Sequence, residues 1–116
     1  MVGAIEEKAR LAARAALGKK AEGMVMLDVR TVSTIADCFL ICCGNSSTQV
    51  STIVDAVETA LEGDGHRILH REGVPGSGWV LLDAGDLVVH VFLPETRDFY
   101  ALERLWGDAP ELSLDA

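Results

Sequence analysis

No stretch of this sequence approaches the run of about 18 apolar residues that a membrane span needs. Met1 to Lys20 carries Glu6 and Glu7 where a signal peptide would carry an apolar centre, and residues 1–23 are too short and too acidic for a transit segment. The sequence therefore predicts a soluble, cytoplasmic protein with no membrane partner. Positive charge is also in deficit. Ten Lys and Arg stand against 18 Asp and Glu, a net charge of −8. Such a field repels phosphate backbones and anionic lipid, which argues against direct, sequence-specific nucleic-acid binding as the main activity. Cysteine offers no disulfide framework, because Cys38, Cys42 and Cys43 are odd in number and crowded together, as suits a reducing compartment. There is no C-x-x-C pair either. Cys42 and Cys43 are adjacent and point to opposite faces of an extended strand, so with His66, His70 and His90 they make no four-ligand zinc pattern. No metal and no cofactor is expected. Repeats and interdomain linkers are missing too, and 116 residues leave room for one core only.

What is present is enough apolar material to fill that core, 49% of the residues against 24% charged. Ala4 to Ala21 repeats Ile5, Ala9, Ala12 and Ala16 at helical spacing and reads as an amphipathic helix whose small side chains pack closely on a sheet. Met24 to Val29 fits a buried strand, and Cys38 to Cys43, apolar throughout, an inner strand covered on both faces. Ser46 followed by Gln49 is a capping-box pattern. It opens a helix with Val50, Ile53, Val54, Val57 and Leu61 on one side, ending at Gly63 or Gly65. His66 to His70 is a short strand candidate, and Gly73 to Gly78 a mobile connector. Trp79 to Asp83 and Leu87 to Leu93 are strands joined by a tight turn at Asp83-Ala84-Gly85-Asp86. Pro94 opens a last helix, with Phe99, Leu102 and Trp106 on one side and Gly107 at its end. The fold class is α/β: a mixed sheet of about five strands flanked by helices, in a single domain over residues 1–107. Residues 108–116 form an acidic tail expected to be disordered.

Chemistry is thin. Cys38 and Cys42 lie in an apolar run that raises a thiol pKa, which makes them core residues and not nucleophiles. The segment Gly73 to Gly78 lacks the Lys-Ser or Lys-Thr of a P-loop and precedes a strand. Gly44-Asn45-Ser46, at a strand-to-helix junction, is the better anion site, and with Asp83 and Asp86 holding a metal it supports an alternative reading as a nucleotide-binding or nucleotidyltransferase-like protein. The spacing of those aspartates is wrong for a D-x-D pair, and helix capping accounts for Asn45 and Ser46 without a ligand. Asp83 and Asp86 with His90 could also do acid–base work. A hairpin turn beside a half-buried histidine is the simpler account, and no catalytic residue is expected. Surface aromatics are more informative. Alternation puts Trp79, Leu81 and Asp83 on one face of their strand, and Arg97, Tyr100 and Arg104 lie on a different side of the last helix from Phe99, Leu102 and Trp106. Aromatic residues with Arg are a composition typical of protein-binding patches.

Several strings are specific when taken together. They are Asp28-Val29-Arg30, Ser33-x-x-Ala36-Asp37-x-Phe39, Cys43-Gly44-Asn45-Ser46, Glu72-Gly73, the long run from Trp79-Val80-Leu81-Leu82-Asp83 through Gly85-Asp86 to Val88-Val89-His90-Val91-Phe92, and Tyr100-x-Leu102-Glu103-x-Leu105-Trp106-Gly107-Asp108. From Asp28 to Asp108 the sequence closely resembles the ribosomal silencing factor family, also called Iojap-like. The resemblance implies a fold related to nucleotidyltransferases without their catalytic carboxylates. It implies a non-enzymatic translational repressor that binds the large ribosomal subunit through ribosomal protein L-fourteen, blocks joining of the small subunit and lowers translation when nutrients are short. It also implies a homodimer when free. Trp79, Leu81, Asp83 and Tyr100 match the family strings and are assigned to the partner surface, with Arg97 and Leu105 added. Asp37, Asp86, His90 and Glu103 are assigned to turns and polar networks. Cys38 departs from the pattern, standing where many relatives have an aromatic residue.

Overall fold

The computed structural model describes residues 3–31, 33–34, 36–100 and 110–112. Five strands form one mixed sheet: β1 (Glu22–Asp28), β2 (Cys38–Cys43), β3 (His70–Glu72), β4 (Trp79–Asp83) and β5 (Leu87–Phe92), in the spatial order β1-β2-β5-β4-β3. Only β2 and β5 run parallel; the other neighbours are antiparallel. Helices α1 (Gly3–Gly18) and α2 (Ser47–Gly63) cover one face, and α3 (Pro94–Tyr100) follows β5. No described helix is long and apolar enough to cross a membrane.

The helices form where the sequence places them, for visible reasons. In α1 the stripe Ile5, Ala9, Ala12, Ala13 and Ala16 is buried, and its mostly single-carbon side chains let α1 lie close to the sheet and α2. Ser46 caps α2 by accepting from Gln49 N at 3.1 Å. The Gln49 side chain accepts from Asn45 N at 2.7 Å and donates to the Lys19 and Lys20 carbonyls, both at 3.1 Å, so the start of α2 is tied to the end of α1. The apolar face of α2 is buried over the sheet, as expected.

All six residues of β2 are buried. Cys38, Leu40 and Cys42 join the core under α1 and α2, while Phe39, Ile41 and Cys43 join a second cluster on the opposite face with Leu27, Val88 and Phe92. Cys42 and Cys43 therefore do point apart. Burial pushes the Cys38 and Cys42 thiols up to about 12, which leaves them protonated and inert near neutrality.

One expectation is corrected. The strand expected at His66 to His70 instead begins at His70. Its ladder starts at the His70–Asp83 pair, and beyond Asp83 the chain turns away towards β5, leaving nothing for His66 to Ile68 to pair with. The connector Gly73 to Gly78 contains a 3-10 turn at Pro75–Ser77, where Ser77 Oγ bonds the carbonyls of Val74 at 2.7 Å and Trp79 at 3.1 Å. Residues 110–112 lie beside β1. Asp28 N donates to Pro110 O at 2.8 Å and Leu112 N to Met26 O at 2.7 Å, with Glu111 opposite Leu27, so the tail occupies the otherwise open edge of β1. The remaining tail residues, the expected continuation of the last helix and its Leu102, Glu103, Leu105 and Trp106 lie outside the described residues.

Candidate functional site

The face of the sheet opposite α1 and α2 carries the candidate site, and strand alternation builds it. Along β4, Val80 and Leu82 are buried under the helices, and Trp79, Leu81 and Asp83 are partly exposed on the other side. The sheet thus brings together the three strand residues singled out in the sequence. Trp79 stands opposite Phe92 of β5 and stacks on it, ring centroids 5.2 Å apart and planes 25° from parallel. Leu81 stands opposite His90. Beside this row Glu72, Gly73, Ser77, Trp79 and Leu81 line a cleft of about 270 Å³. Gly73 is required here. Its φ is +84°, and a Cβ would come within 2.3 Å of the Trp79 carbonyl oxygen.

His90 corrects the sequence reading, which had it half-buried. It is only 5% exposed, held under Trp79 with the edge of Phe39 against its ring at a centroid distance of 4.9 Å. Burial lowers its pKa to about 4, so the imidazole is neutral at physiological pH. Trp79 Nε1 donates to His90 Nδ1 at 3.2 Å. An indole only donates, so Nδ1 is the acceptor and the imidazole proton is assigned to Nε2. That Nε2 is buried with no acceptor among the described residues. An orphaned donor of this kind costs about 1–3 kcal/mol.

Neither aspartate of the hairpin is poised for acid–base work with His90. Asp83 Oδ1 accepts from Gly85 N at 2.8 Å, which closes the β4–β5 turn where Gly85 has φ +89°. Asp86 pairs with Lys8 at 2.6 Å, and the same ammonium donates to the Ala84 carbonyl at 2.6 Å, fixing α1 to the turn. Asp37 enters the same corner through its backbone, donating to Asp86 O at 2.8 Å. At the Gly44-Asn45-Ser46 junction the backbone N–H groups of Gly44 and Asn45 and the Asn45 amide are engaged as well. Gly44 N bonds Phe92 O, Asn45 N bonds Gln49, and the Asn45 amide donates to Glu22 at 2.7 Å. An incoming anion would meet that carboxylate, which disfavours a phosphate there. Among the described residues no group of three or more His, Cys, Asp or Glu suits a metal ion.

Arg97 is placed differently from the β4 row. Its Nη1 donates to Gly23 O at 2.5 Å and lies 3.4 Å from Cys43 Sγ, so it pins α3 to the ends of β1 and β2. Gly23, with φ +61°, gives the guanidinium the space a Cβ would take. Tyr100 ends α3, and Leu105 lies outside the described residues. Cys38, the departure from the family pattern, lies in the core under the helices and not on this face. The residue that sequence reasoning undervalued is His90. Its position two residues before Phe92, on the same face of an alternating strand, was the available signal, but its partner Trp79 belongs to another strand.

A family model described as "Ribosomal silencing factor during starvation" matches residues 3–116. The chain is 46% identical over 110 residues to "Ribosomal silencing factor RsfS" of Halalkalibacterium halodurans, covering 95% of this chain and 94% of that one. It is 44% identical over 106 residues to the protein of the same name in Bacillus subtilis, covering 91% and 90%. A crystal structure of a protein from Chromobacterium violaceum superposes with a TM-score of 0.86 at 35% identity, over 97% of this chain and 92% of that one. The long string from Trp79 to Phe92, the mixed five-stranded sheet and these likenesses agree: the chain belongs to the ribosomal silencing factor family.

Proposed function

We propose that this protein represses translation by binding the large ribosomal subunit through ribosomal protein L-fourteen, on the surface that meets the small subunit, and so blocks subunit joining when nutrients are short. The observation that carries the reading is the row Trp79, Leu81 and Asp83, partly exposed on a sheet face that α1 and α2 leave uncovered, beside a cleft of about 270 Å³. A partly exposed Trp beside a cleft is the kind of residue on which binding hot spots centre. Arg97, Tyr100 and Leu105 complete the partner surface. In the free protein the same patch joins two copies in a homodimer. The site of action is the cytoplasm.

Two further features support this reading. Steric exclusion needs no catalytic residue, which agrees with the inert Cys38 and Cys42 thiols, the engaged aspartates and the Glu22 carboxylate at the strand-to-helix junction. A net charge of −8 suits a basic protein partner on a ribosome whose RNA surface is repulsive. The test is light scattering of purified subunits as Mg²⁺ is raised, with the protein preincubated on the large subunit or added last. A lost association signal, stronger when the large subunit is treated first, is the expected result. An unchanged signal from folded protein would refute the mechanism.

A further inference from the structure

We propose that His90 is a positioning residue of the docking face, whose Nδ1 holds the Trp79 indole in the pose a partner meets, so that the face is set before binding. Its consequence for binding rests on the docking reading above; the positioning itself does not. Three observations carry it. Trp79 Nε1 donates to His90 Nδ1 at 3.2 Å, diagonally across the β4–β5 ladder. The Trp79 ring also stacks on Phe92, so its plane is fixed by the stack and its rotation within that plane by the hydrogen bond. The third observation is the orphaned Nε2, which has no acceptor among the described residues although it is buried.

That orphan separates positioning from packing. An aliphatic side chain would fill the place of His90 among Phe39, Trp79 and Phe92 without burying an unsatisfied donor. Packing alone therefore gives no reason for an imidazole. What an aliphatic residue lacks is an acceptor aimed at the indole. Trp79 is partly exposed and lines the cleft, so without the His90 acceptor its N–H is free to turn towards water by rotation of the ring on Phe92. Ordering it would then oppose association, a cost that a pre-set side chain avoids.

The test compares His90→Leu with His90→Asn, whose Oδ1 sits the same number of bonds from Cα as Nδ1 and restores an acceptor. The Trp79 indole N–H resonance is identified by its loss in Trp79→Phe, since Trp106 is the other tryptophan. In His90→Leu we expect that resonance to shift and its hydrogen exchange to accelerate. Affinity for purified large subunits should fall about five-fold, the worth of one ordinary hydrogen bond, while thermal stability holds or rises. His90→Asn should recover both the resonance and the affinity. In a Trp79→Ala background His90→Leu should change affinity no further. An indole resonance and exchange rate unchanged in His90→Leu would overturn the proposal, as would an undiminished affinity loss in the Trp79→Ala background. If His90→Leu fails to fold, the imidazole nitrogen spectrum of the unsubstituted protein decides: a proton on Nε2 is the expected result, and one on Nδ1 overturns the assignment. Should Trp79→Ala bind as well as the unsubstituted protein, the docking reading fails, and the indole resonance still reports whether His90 holds Trp79.

Discussion

Trp79 illustrates how one residue can be both part of a core and part of a surface. One side of its ring rests on Phe92 and its nitrogen is bonded to a buried histidine, yet the side chain still borders the open cleft. Removing it should leave the sheet standing, because Val80 and Leu82 of the same strand are buried on the other face. Trp79→Ala is expected to weaken binding to purified large subunits by about 2 kcal/mol, the usual loss for a hot-spot aromatic, as measured by co-sedimentation. A folded variant with full affinity would move the docking surface elsewhere. His90 makes a second prediction, in stability. Its folded pKa, about 4, lies below the ordinary histidine value of 6.5. Between those values the unfolded chain binds a proton that the folded one refuses, so stability is fully present above pH 6.5 and falls as the pH drops towards 4. The loss from this one group reaches about 3 kcal/mol. Urea unfolding at pH 7.5 and 4.5 should show it, and His90→Leu should flatten the slope; an equal slope in that variant would refute the assignment. The exposed row Trp79, Leu81 and Asp83 was legible from alternation along a single strand. The role of His90 was not, because alternation along one strand does not show which side chain of the neighbouring strand its ring nitrogens meet.

At the scale of elements, local chemistry was the better guide the more of it lay within one segment. The start of α2 was readable because Ser46 and Gln49 are three residues apart; the Ser46 half of the capping box forms, while the Gln49 side chain accepts from Asn45 N and not from Ser46 N. Ser46→Ala should cost about 1 kcal/mol, seen as a lowered unfolding midpoint in urea with an unchanged slope. The start of β3 was misplaced by four residues because a strand begins where its partner begins, and Asp83, not any feature of His66 to Ile68, sets that point. The pairing of Pro110 to Leu112 was not legible for a similar reason: it depends on the free edge of β1, far away in the sequence. The Gly73 turn carries a sharper consequence. With φ +84° and the Trp79 carbonyl 2.3 Å from any added Cβ, Gly73→Ala forces either the turn or the first residue of β4 to move. The expected cost is about 1–3 kcal/mol of stability. The Trp79 indole resonance should move with it, since the anchor and the turn share that strand end. An unperturbed spectrum would show that the turn and the docking face are independent.

For the whole molecule, charge was the property most openly displayed in the sequence, and its use depends on what it meets. Eight net negative charges on a 116-residue chain act over roughly 10 Å at about 0.1 M salt, far enough to bias an encounter before any contact forms. A ribosomal surface presents two opposite fields: phosphates that repel this chain, and basic proteins that attract it. The combination narrows where an acidic factor can land, which is a form of specificity that costs no stability in the bound complex. If the proposed docking holds, isolated ribosomal protein L-fourteen presents the protein partner without the RNA. With that partner the association rate constant should fall as salt rises from about 0.1 M to 0.5 M, where screening shortens to about 4 Å, while the dissociation rate, which the proposed docking sets by short-range contacts around Trp79, should change little. Stopped-flow measurement of Trp fluorescence separates the two rates. A fall in association of about ten-fold ties the net charge to the protein partner. An association rate indifferent to salt would mean that the acidic surface faces away from the partner, and would leave shape at the Trp79 face as the sole source of recognition.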